Sequence, residues 1–324
     1  MFSPSRAVVT GGAGFIGSHL IARLLRDNHF VVAIDHAPWD DSNHLFNLDS
    51  PALKYVHGSV SDSSLFRSLI QEADHVYLLA ATLGVRRVIE NPIGTAFTQV
   101  DQVRDICSTA SAHQKIFYAS TSEVYGKATV SPLTEDLPLV LGEPKKARWA
   151  YACSKLLSEY LLLSLYRDKN IPIVVGRFFN IVGPRQNQAY GAVIPNLLSQ
   201  AIKGMPLTVF GDGTQTRSFC HVIDAVDAVL SLMNHDSCNG QVFNIGNAEE
   251  ISIRDLADKI RALVDTLLDI KMIPYEDVMP PGFEEILHRV PSLNKIKQYT
   301  GWSSKFKLDE TLLDCLRVLK DISL

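Results

Sequence analysis

The segment Thr10-Gly11-Gly12-Ala13-Gly14-Phe15-Ile16-Gly17 narrows the folds open to this chain. It follows an apolar run, Ala7-Val8-Val9, and leads into a stretch of helical periodicity that ends near Asp27. Gly12, Gly14 and Gly17 satisfy G-x-G-x-x-G, and Gly11, Gly14 and Gly17 form G-x-x-G-x-x-G. Glycines at these places allow a tight turn and a close approach of the backbone to a pyrophosphate, which the open N–H groups of the next helix would receive. Such a motif carries meaning only between a strand and a helix, which is where it stands here. The next apolar run, Phe30–Ile34, leads to Asp35, eighteen residues after Gly17. An acid there would hold the adenosine ribose hydroxyls. No Lys or Arg occurs from His36 to Leu53 to pair a 2′-phosphate, so the expected cofactor is NAD rather than NADP.

Further apolar runs follow at Leu53–Val56, His75–Leu79, Lys115–Tyr118 and Ile171–Val175. Each is apolar on nearly every residue, the pattern of parallel strands covered on both faces. Helical patterns lie between them near 62–72, 94–112 and 151–168. Strand–helix alternation of this period predicts an α/β fold with a doubly wound parallel sheet of Rossmann type. After residue 177, Gly183-Pro184, Gly204, Pro206, Gly211 and Gly213 punctuate the chain. A helix is expected near 192–203, and Gln241–Ile245 has the pattern of a strand returning to the sheet. Ser252-x-x-Asp255 has the form of a helix-start box. A loop is expected through Pro274, Pro280, Pro281 and Gly282, and an amphipathic helix from about Leu308. The expected organisation is a Rossmann domain over 1–177, with 222–249 returning to it. A smaller, interleaved α/β substrate domain would take most of 178–324.

Composition removes several classes of function. Lys+Arg 31 against Asp+Glu 35 gives a net charge of −4, which supplies neither a basic field for nucleic acid nor a polybasic membrane patch. No apolar run approaches the ~20 residues of a membrane span. The start, Met1 to Arg6, leaves no room for the apolar region of a signal peptide before the first strand pattern. Cys107, Cys153, Cys220, Cys238 and Cys315 are odd in number and widely spaced, without C-x-x-C. That argues against a disulfide framework and against a metal site, and the expected setting is a reduced cytoplasm.

Tyr151 and Lys155 are four apart on an expected helix, hence on one face. An ammonium beside a phenol favours the phenolate, so Tyr151 could act as a base near neutral pH. The stretch Ser120-Thr121-Ser122-Glu123-Val124-Tyr125-Gly126 follows the fifth strand, at the carboxyl end of the sheet where open α/β sheets place their sites. His19, on the first helix, is expected to be packed rather than catalytic. Cys220 and His221 adjoin each other without a third partner, and Cys153, two residues after Tyr151, points away from it. None of these is assigned chemistry.

The Gly-rich turn, Asp35, Thr121, Tyr151 and Lys155 together resemble the extended short-chain dehydrogenase/reductase family that modifies nucleotide sugars, from Val8 to Trp302. The resemblance implies that Tyr151 takes the proton of a sugar hydroxyl. Lys155 would tune Tyr151 and hold the nicotinamide ribose, and Thr121 would hydrogen-bond the same sugar oxygen. It implies cofactor contacts at Gly11, Gly14, Phe15, Ile16, Gly17, Asp35, Ser59, Val60, Leu79, Ala80, Ala81, Tyr151 and Lys155. Arg177-Phe178-Phe179-Asn180-Ile181-Val182-Gly183-Pro184 resembles the segment whose Asn, here Asn180, binds the diphosphate sugar. Val209-Phe210-Gly211-Asp212-Gly213 and Arg217 resemble the segment that sandwiches the nucleoside base and pairs the phosphates. Arg148, Arg185 and Val193 complete the implied UDP-sugar contacts.

Thr121-Ser122-Glu123 differs from the Thr-Asp-Glu of the 4,6-dehydratases, whose Asp is the acid that expels a hydroxyl, and resembles the UDP-glucuronate decarboxylases. So do Leu139-Val140-Leu141-Gly142-Glu143-Pro144 and the run from Arg148 to Lys155. With Ser292 aligned on a family Asp, Leu287 falls at the epimerase position for an anion-binding arginine and Arg289 at the decarboxylase position. The implied activity is NAD-dependent oxidation of UDP-glucuronate at C4 followed by loss of carbon dioxide. Ser122 and Glu123 would manage carboxylate placement and C5 protonation. The rivals are a UDP-hexose 4-epimerase and a non-catalytic NAD(H) sensor. Ser59 stands where the family usually has an Asp for the adenine amine, and Gln99 where it has the tetrad Asn. The helices 94–112 and 151–168 are apolar around most of their circumference, with Leu156, Leu157, Leu161, Leu162, Leu163 and Leu165 on the second. That implies a homodimer through this pair.

Overall fold

Alternate residues of one apolar strand feed two different cores. In the computed structural model, which describes residues 5–40, 43–46, 48–81, 84–187, 191–265, 267–281 and 283–323, Ala7 and Val9 face one core while Val8 faces the other. The strands are β1 (Arg6–Thr10), β2 (Phe30–Asp35), β3 (Leu53–His57), β4 (His75–Leu78), β5 (Lys115–Thr121) and β6 (Ile173–Phe178). They form one sheet with the strand Gln241–Ile245, in the order Gln241–Ile245, β6, β5, β4, β1, β2, β3. Every pairing in it is parallel.

The helices are α1 (Phe15–Arg26), α2 (Ser63–Gln71), α3 (Val85–Glu90), α4 (Pro92–Thr109), α5 (Trp149–Lys169), α6 (Val193–Ile202) and α7 (Val222–Met233). Leu20, Ile21 and Leu24 of α1 and Ala225 and Val229 of α7 cover one face of the sheet. Phe66 and Ile70 of α2, Val103 and Ile106 of α4 and Leu162 and Leu165 of α5 cover the other. Burying one such aliphatic or aromatic side chain contributes roughly 1.5–3 kcal/mol, so a strand covered twice is apolar along most of its length, and its buried polar residues, such as Asp35 and Arg177, are hydrogen-bonded. The winding reverses direction between β1 and β4. The carboxyl ends of those strands diverge there, and ligands of doubly wound sheets bind in that crevice.

Three local features differ from the sequence reading. Helix α4 starts at Pro92, because the Asn91 side chain accepts the Gly94 N–H at 3.0 Å and proline suits a first helical position. It ends at Thr109, short of 112. The short helix α3 has too few residues to show a periodicity. The region expected as a loop after Pro274 holds a one-turn helix, Tyr275–Val278, while Gly282 lies outside the described residues. The helix-start box is real: Ser252 Oγ accepts the Asp255 N–H at 3.0 Å and donates to the Asp255 carboxylate at 2.6 Å.

Beyond β6, α6 packs with the helices Ile253–Val264 and Leu308–Ser323 around the parallel strands Leu207–Phe210 and Ile270–Ile273. A small sheet joins Glu250–Ser252, Thr216–Ser218 and His288–Arg289, and its parallel register sets Arg289 beside Arg217. Among the described residues, no helix is long and apolar enough to cross a membrane.

Candidate active site

Gly11 sits at φ +68°, and a Cβ on it would lie 2.9 Å from Ala80 Cα. A Cβ on Gly17 would lie 2.2 Å from the Gly11 carbonyl oxygen. Only glycine lets this turn lie against the end of β4 and lets α1 start against the turn. Gly14 caps α1 without a side-chain hydrogen bond, which leaves the first-turn N–H groups, on Phe15, Ile16 and Gly17, to a ligand or water. Asp35 is nearly buried. Its two carboxylate oxygens accept the Ala13 and Ala37 N–H groups, each at 3.0 Å, and each retains a lone pair for a ribose hydroxyl. These features fit a dinucleotide. Thr10 Oγ1 accepts from Leu79 N at 3.1 Å and Ala80 N at 3.0 Å, which fixes the 79–81 exit of β4 beside the turn. Gln99 Nε2 donates to the Ala80 carbonyl at 3.2 Å, and its buried Oε1 has no hydrogen-bond partner among the described residues. Val60 is buried, while Ser59 is exposed and its Oγ accepts the Ser61 N–H.

Strand β5 ends at Thr121, whose Oγ1 accepts the Glu123 N–H at 3.2 Å and caps the single 3-10 turn Ser122–Tyr125. That turn buries Ser122 and folds Glu123 back toward α5. The Thr121 side chain acts on the Tyr151 phenol in the direction that favours its ionisation. Lys155 is 1% exposed. Its Nζ donates to the Ala119 carbonyl at 2.7 Å and lies 4.7 Å from the Tyr118 ring centre and 5.9 Å from that of Tyr151. Burial pushes the Lys155 ammonium down to about 7, with Glu159, one helical turn on, opposing it. Burial pushes the Tyr151 phenol up and Glu123 adds to this, while Thr121 and Arg289 oppose it. Lys155 gives one of its three N–H groups to the Ala119 carbonyl and stands close to the Tyr151 ring, while the Arg289 charge favours the phenolate.

The Lys155 shift has a consequence for stability. In the fold this lysine holds its proton only below about 7, whereas in the unfolded chain it does so to about 10.4. Between these values the unfolded state binds more protons, so its contribution makes stability rise with pH. Lys155→Met is expected to flatten that rise by about 2 kcal/mol between pH 7 and 9. Urea unfolding of cofactor-free parent and variant at both pH values checks this, and parallel slopes would refute it.

Two guanidinium groups converge on Glu123. Arg289 Nη1 lies 3.4 Å and Arg148 Nη2 3.8 Å from its Oε1. Arg289 Nη2 donates to Asn180 Oδ1 at 2.7 Å, and Asn180 Nδ2 donates to the Ser218 carbonyl at 2.9 Å. Arg148, 3% exposed, donates through Nη1 to the Glu284 carbonyl and lies between the Trp149 and Phe283 rings. The Nε groups of Arg148 and Arg289 are buried with no hydrogen-bond partner among the described residues. Burial, then the neighbouring Arg217 charge, pushes Arg289 down to about 10, so it stays charged at neutral pH. Arg217 pairs with Glu285 at 2.6 Å, and Tyr275 donates to the other Glu285 oxygen at 2.8 Å. Behind the site, Arg177 pairs with Glu159 at 2.8 Å, and Ser120 also donates to Glu159.

Thr121, Ser122, Glu123, Tyr151, Lys155, Arg148, Asn180, Arg217 and Arg289 thus share one region. Among the described residues, no hydrogen bond or ion pair joins Arg185 to this group; its charge adds to burial in lowering His19 and His44. Val193 begins α6, and Val209 is buried in the strand Leu207–Phe210, with Phe210 half-buried beside it. His19 is packed: its Nδ1 meets the Phe15 carbonyl at 2.9 Å and burial pulls it down to about 4. His221 does have a third partner, Asp314 at 3.2 Å, but it stacks on Phe306 and accepts the Ile223 N–H as the cap of α7. Two acids escaped the sequence reading. Glu159, four residues after Lys155, could have been found by the same helical spacing. Glu285 follows Glu284 in an irregular segment and offers no periodicity.

The sequence pattern of the NAD dependent epimerase/dehydratase family matches residues 7–246. A UDP-N-acetyl-alpha-D-glucosaminuronate decarboxylase of Bacillus cytotoxicus is 37% identical over 319 residues, 98% of this chain and 98% of the relative. UDP-glucuronic acid decarboxylase 6 of Arabidopsis thaliana is 34% identical over 313 residues, 96% of this chain and 87% of the relative. The solved structure of UDP-glucuronic acid 4-epimerase from Bacillus cereus, in complex with UDP-glucuronic acid and NAD, superposes with a TM-score of 0.83 at 27% identity, over 98% of this chain and 99% of the other. The matched residues run from β1 to the edge strand Gln241–Ile245 and so take in the whole central sheet and the cofactor turn. This chain belongs to the NAD dependent epimerase/dehydratase family, the extended short-chain dehydrogenase/reductases, and its cofactor is NAD.

Proposed function

We propose that the protein is a UDP-glucuronate decarboxylase that oxidises the sugar at C4, releases C6 as carbon dioxide, and yields UDP-4-keto-pentose or UDP-xylose. The observation that carries this reading is the pair of buried guanidiniums, Arg148 and Arg289, meeting beside Thr121 and Tyr151 with their Nε donors unfilled by any described residue. A neutral hexose offers such donors only hydroxyl oxygens, whereas a uronate carboxylate matches them in charge and geometry. The names of the two relatives above, both uronate decarboxylases, support the same chemistry.

Tyr151, with Thr121, takes the proton of the C4 hydroxyl. NAD, when bound, takes up the hydride from C4. Arg289 and Arg148 hold the C5 carboxylate, which is then β to a ketone. As the C5–C6 bond breaks, the Thr121 and Tyr151 hydroxyls hold the C4 oxygen, where negative charge develops. Ser122, directly or through water, is placed to protonate C5, with Glu123 beside the carboxylate. Asn180 and Arg217 bind the diphosphate, and the Val209–Phe210 strand flanks the base.

A second reading keeps this chemistry and adds an N-acetyl group at C2, because the relative at 37% identity is named for that substrate. Product analysis by NMR with UDP-glucuronate, UDP-N-acetylglucosaminuronate and UDP-glucose in parallel tests both. Carbon dioxide and a UDP-pentose are expected from UDP-glucuronate. Release from the acetylated sugar alone would reassign the substrate. Interconversion of UDP-glucose and UDP-galactose with no gas would install the epimerase reading.

The protein is further proposed to be a homodimer through α4 and α5. Ile93 and Phe97 on α4, and Leu157, Tyr160 and Leu161 on α5, are exposed apolar side chains at helical spacing on two helices that pack together. Phe97→Glu with Leu161→Glu is expected to convert a dimer to a monomer in sedimentation velocity. A parent chain that already sediments as a monomer would refute this.

A further inference from the structure

We propose that Glu123 acts in decarboxylation as a fixed negative charge, set beside the substrate carboxylate so as to raise the energy of the carboxylated sugar. The inference rests on the uronate reading above. Its basis is a mismatch between charge and donors at this one residue. Arg289 and Arg148 approach Glu123 at 3.4 and 3.8 Å, long for a charge-assisted hydrogen bond, whereas the neighbouring Arg177–Glu159 pair closes at 2.8 Å. The other donors are committed: Arg289 Nη2 to Asn180 and Arg148 Nη1 to the Glu284 carbonyl. The two Nε groups, fully buried, have no hydrogen-bond partner among the described residues.

A uronate carboxylate bound here shares both guanidiniums with Glu123. The nearby Arg217 offers no relief, since Glu285 already pairs with it. Two carboxylates then lie close together in a largely buried site, where like charges repel far more than they do in water. Breaking the C5–C6 bond removes that repulsion. The bond pair passes to C5 and into the C4 carbonyl, carbon dioxide leaves neutral, and the negative charge settles on the C4 oxygen. That oxygen has hydroxyl donors of its own in Thr121 and the newly protonated Tyr151. The step needs no oxidant beyond the C4 oxidation that precedes it. Glu123 thus burdens the ground state that carries the carboxylate and spares a product that lacks it.

The test uses calorimetry of NAD-loaded protein in a Tyr151→Phe background, which blocks turnover, with UDP-glucuronate and UDP-xylose as ligands. Adding Glu123→Gln is expected to tighten UDP-glucuronate about tenfold and to leave UDP-xylose within about twofold. In the Tyr151-intact chain, the same change should slow carbon dioxide release while lowering KM. Glu123→Asp retains the charge and is expected to keep the parent ratio of the two Kd values. The UDP-xylose Kd reports on folding in every variant. UDP-glucuronate binding that is unchanged or weaker with Gln, or a ratio that moves as far with Asp as with Gln, overturns the proposal. A parent enzyme that releases no carbon dioxide from UDP-glucuronate overturns the function itself, which is a separate result.

Discussion

Tyr151→Phe will lower C4 oxidation of UDP-glucuronate by about 10²–10⁴-fold, the usual loss when a general base is removed. The substitution keeps the ring, which α5 carries, and deletes only the phenol oxygen, on which Thr121 and Arg289 act. No neighbouring group can take its place. Lys155 is turned to the Ala119 carbonyl, and Glu123 is engaged by Arg148 and Arg289. NAD should still bind, because the glycine turn and Asp35 lie on β1, α1 and β2, apart from this hydroxyl. Single-turnover reduction of bound nicotinamide measures the effect. A rate within about tenfold of the parent would show that another group takes the proton.

Arg289→Met should weaken UDP-glucuronate by roughly 30-fold or more, and UDP by less than about fivefold. Methionine retains the apolar stem and removes the donors to Glu123 and Asn180. Truncating one partner of a buried charge pair typically costs ~2–5 kcal/mol, which corresponds to this range of affinity. UDP lacks the carboxylate and relies on Arg217 and the strand Leu207–Phe210, both left in place. Calorimetry with the two ligands checks the difference. Equal losses would assign Arg289 to the diphosphate and remove the main support for a uronate substrate.

The two predictions draw on different levels of information. Tyr151 and Thr121 were legible early, because each lies on a local pattern: a four-residue helical spacing and the end of a continuous apolar strand. The glycine turn, Asp35 and the seven-strand sheet were legible for the same reason, since backbone conformation and two-sided burial act within a few residues. Boundaries were less so. The start of α4 depends on an Asn91 cap, and α3 and the turn Tyr275–Val278 are too short to show a period.

The electrostatics of the site belong to the tertiary structure. Arg217 and Arg289 are neighbours only because two short strands pair in parallel, and no local pattern encodes that register. Their paired acids, Glu285 and Glu123, come from separate segments. Lys155 shows the distinction within a single residue. Its spacing from Tyr151 is a property of the sequence, but its direction, toward the Ala119 carbonyl, is set by the packing of α5 on β5. Charge interactions fall with distance and depend on burial, so the chain specifies which groups can ionise, and only the assembled fold decides which of them act on one another.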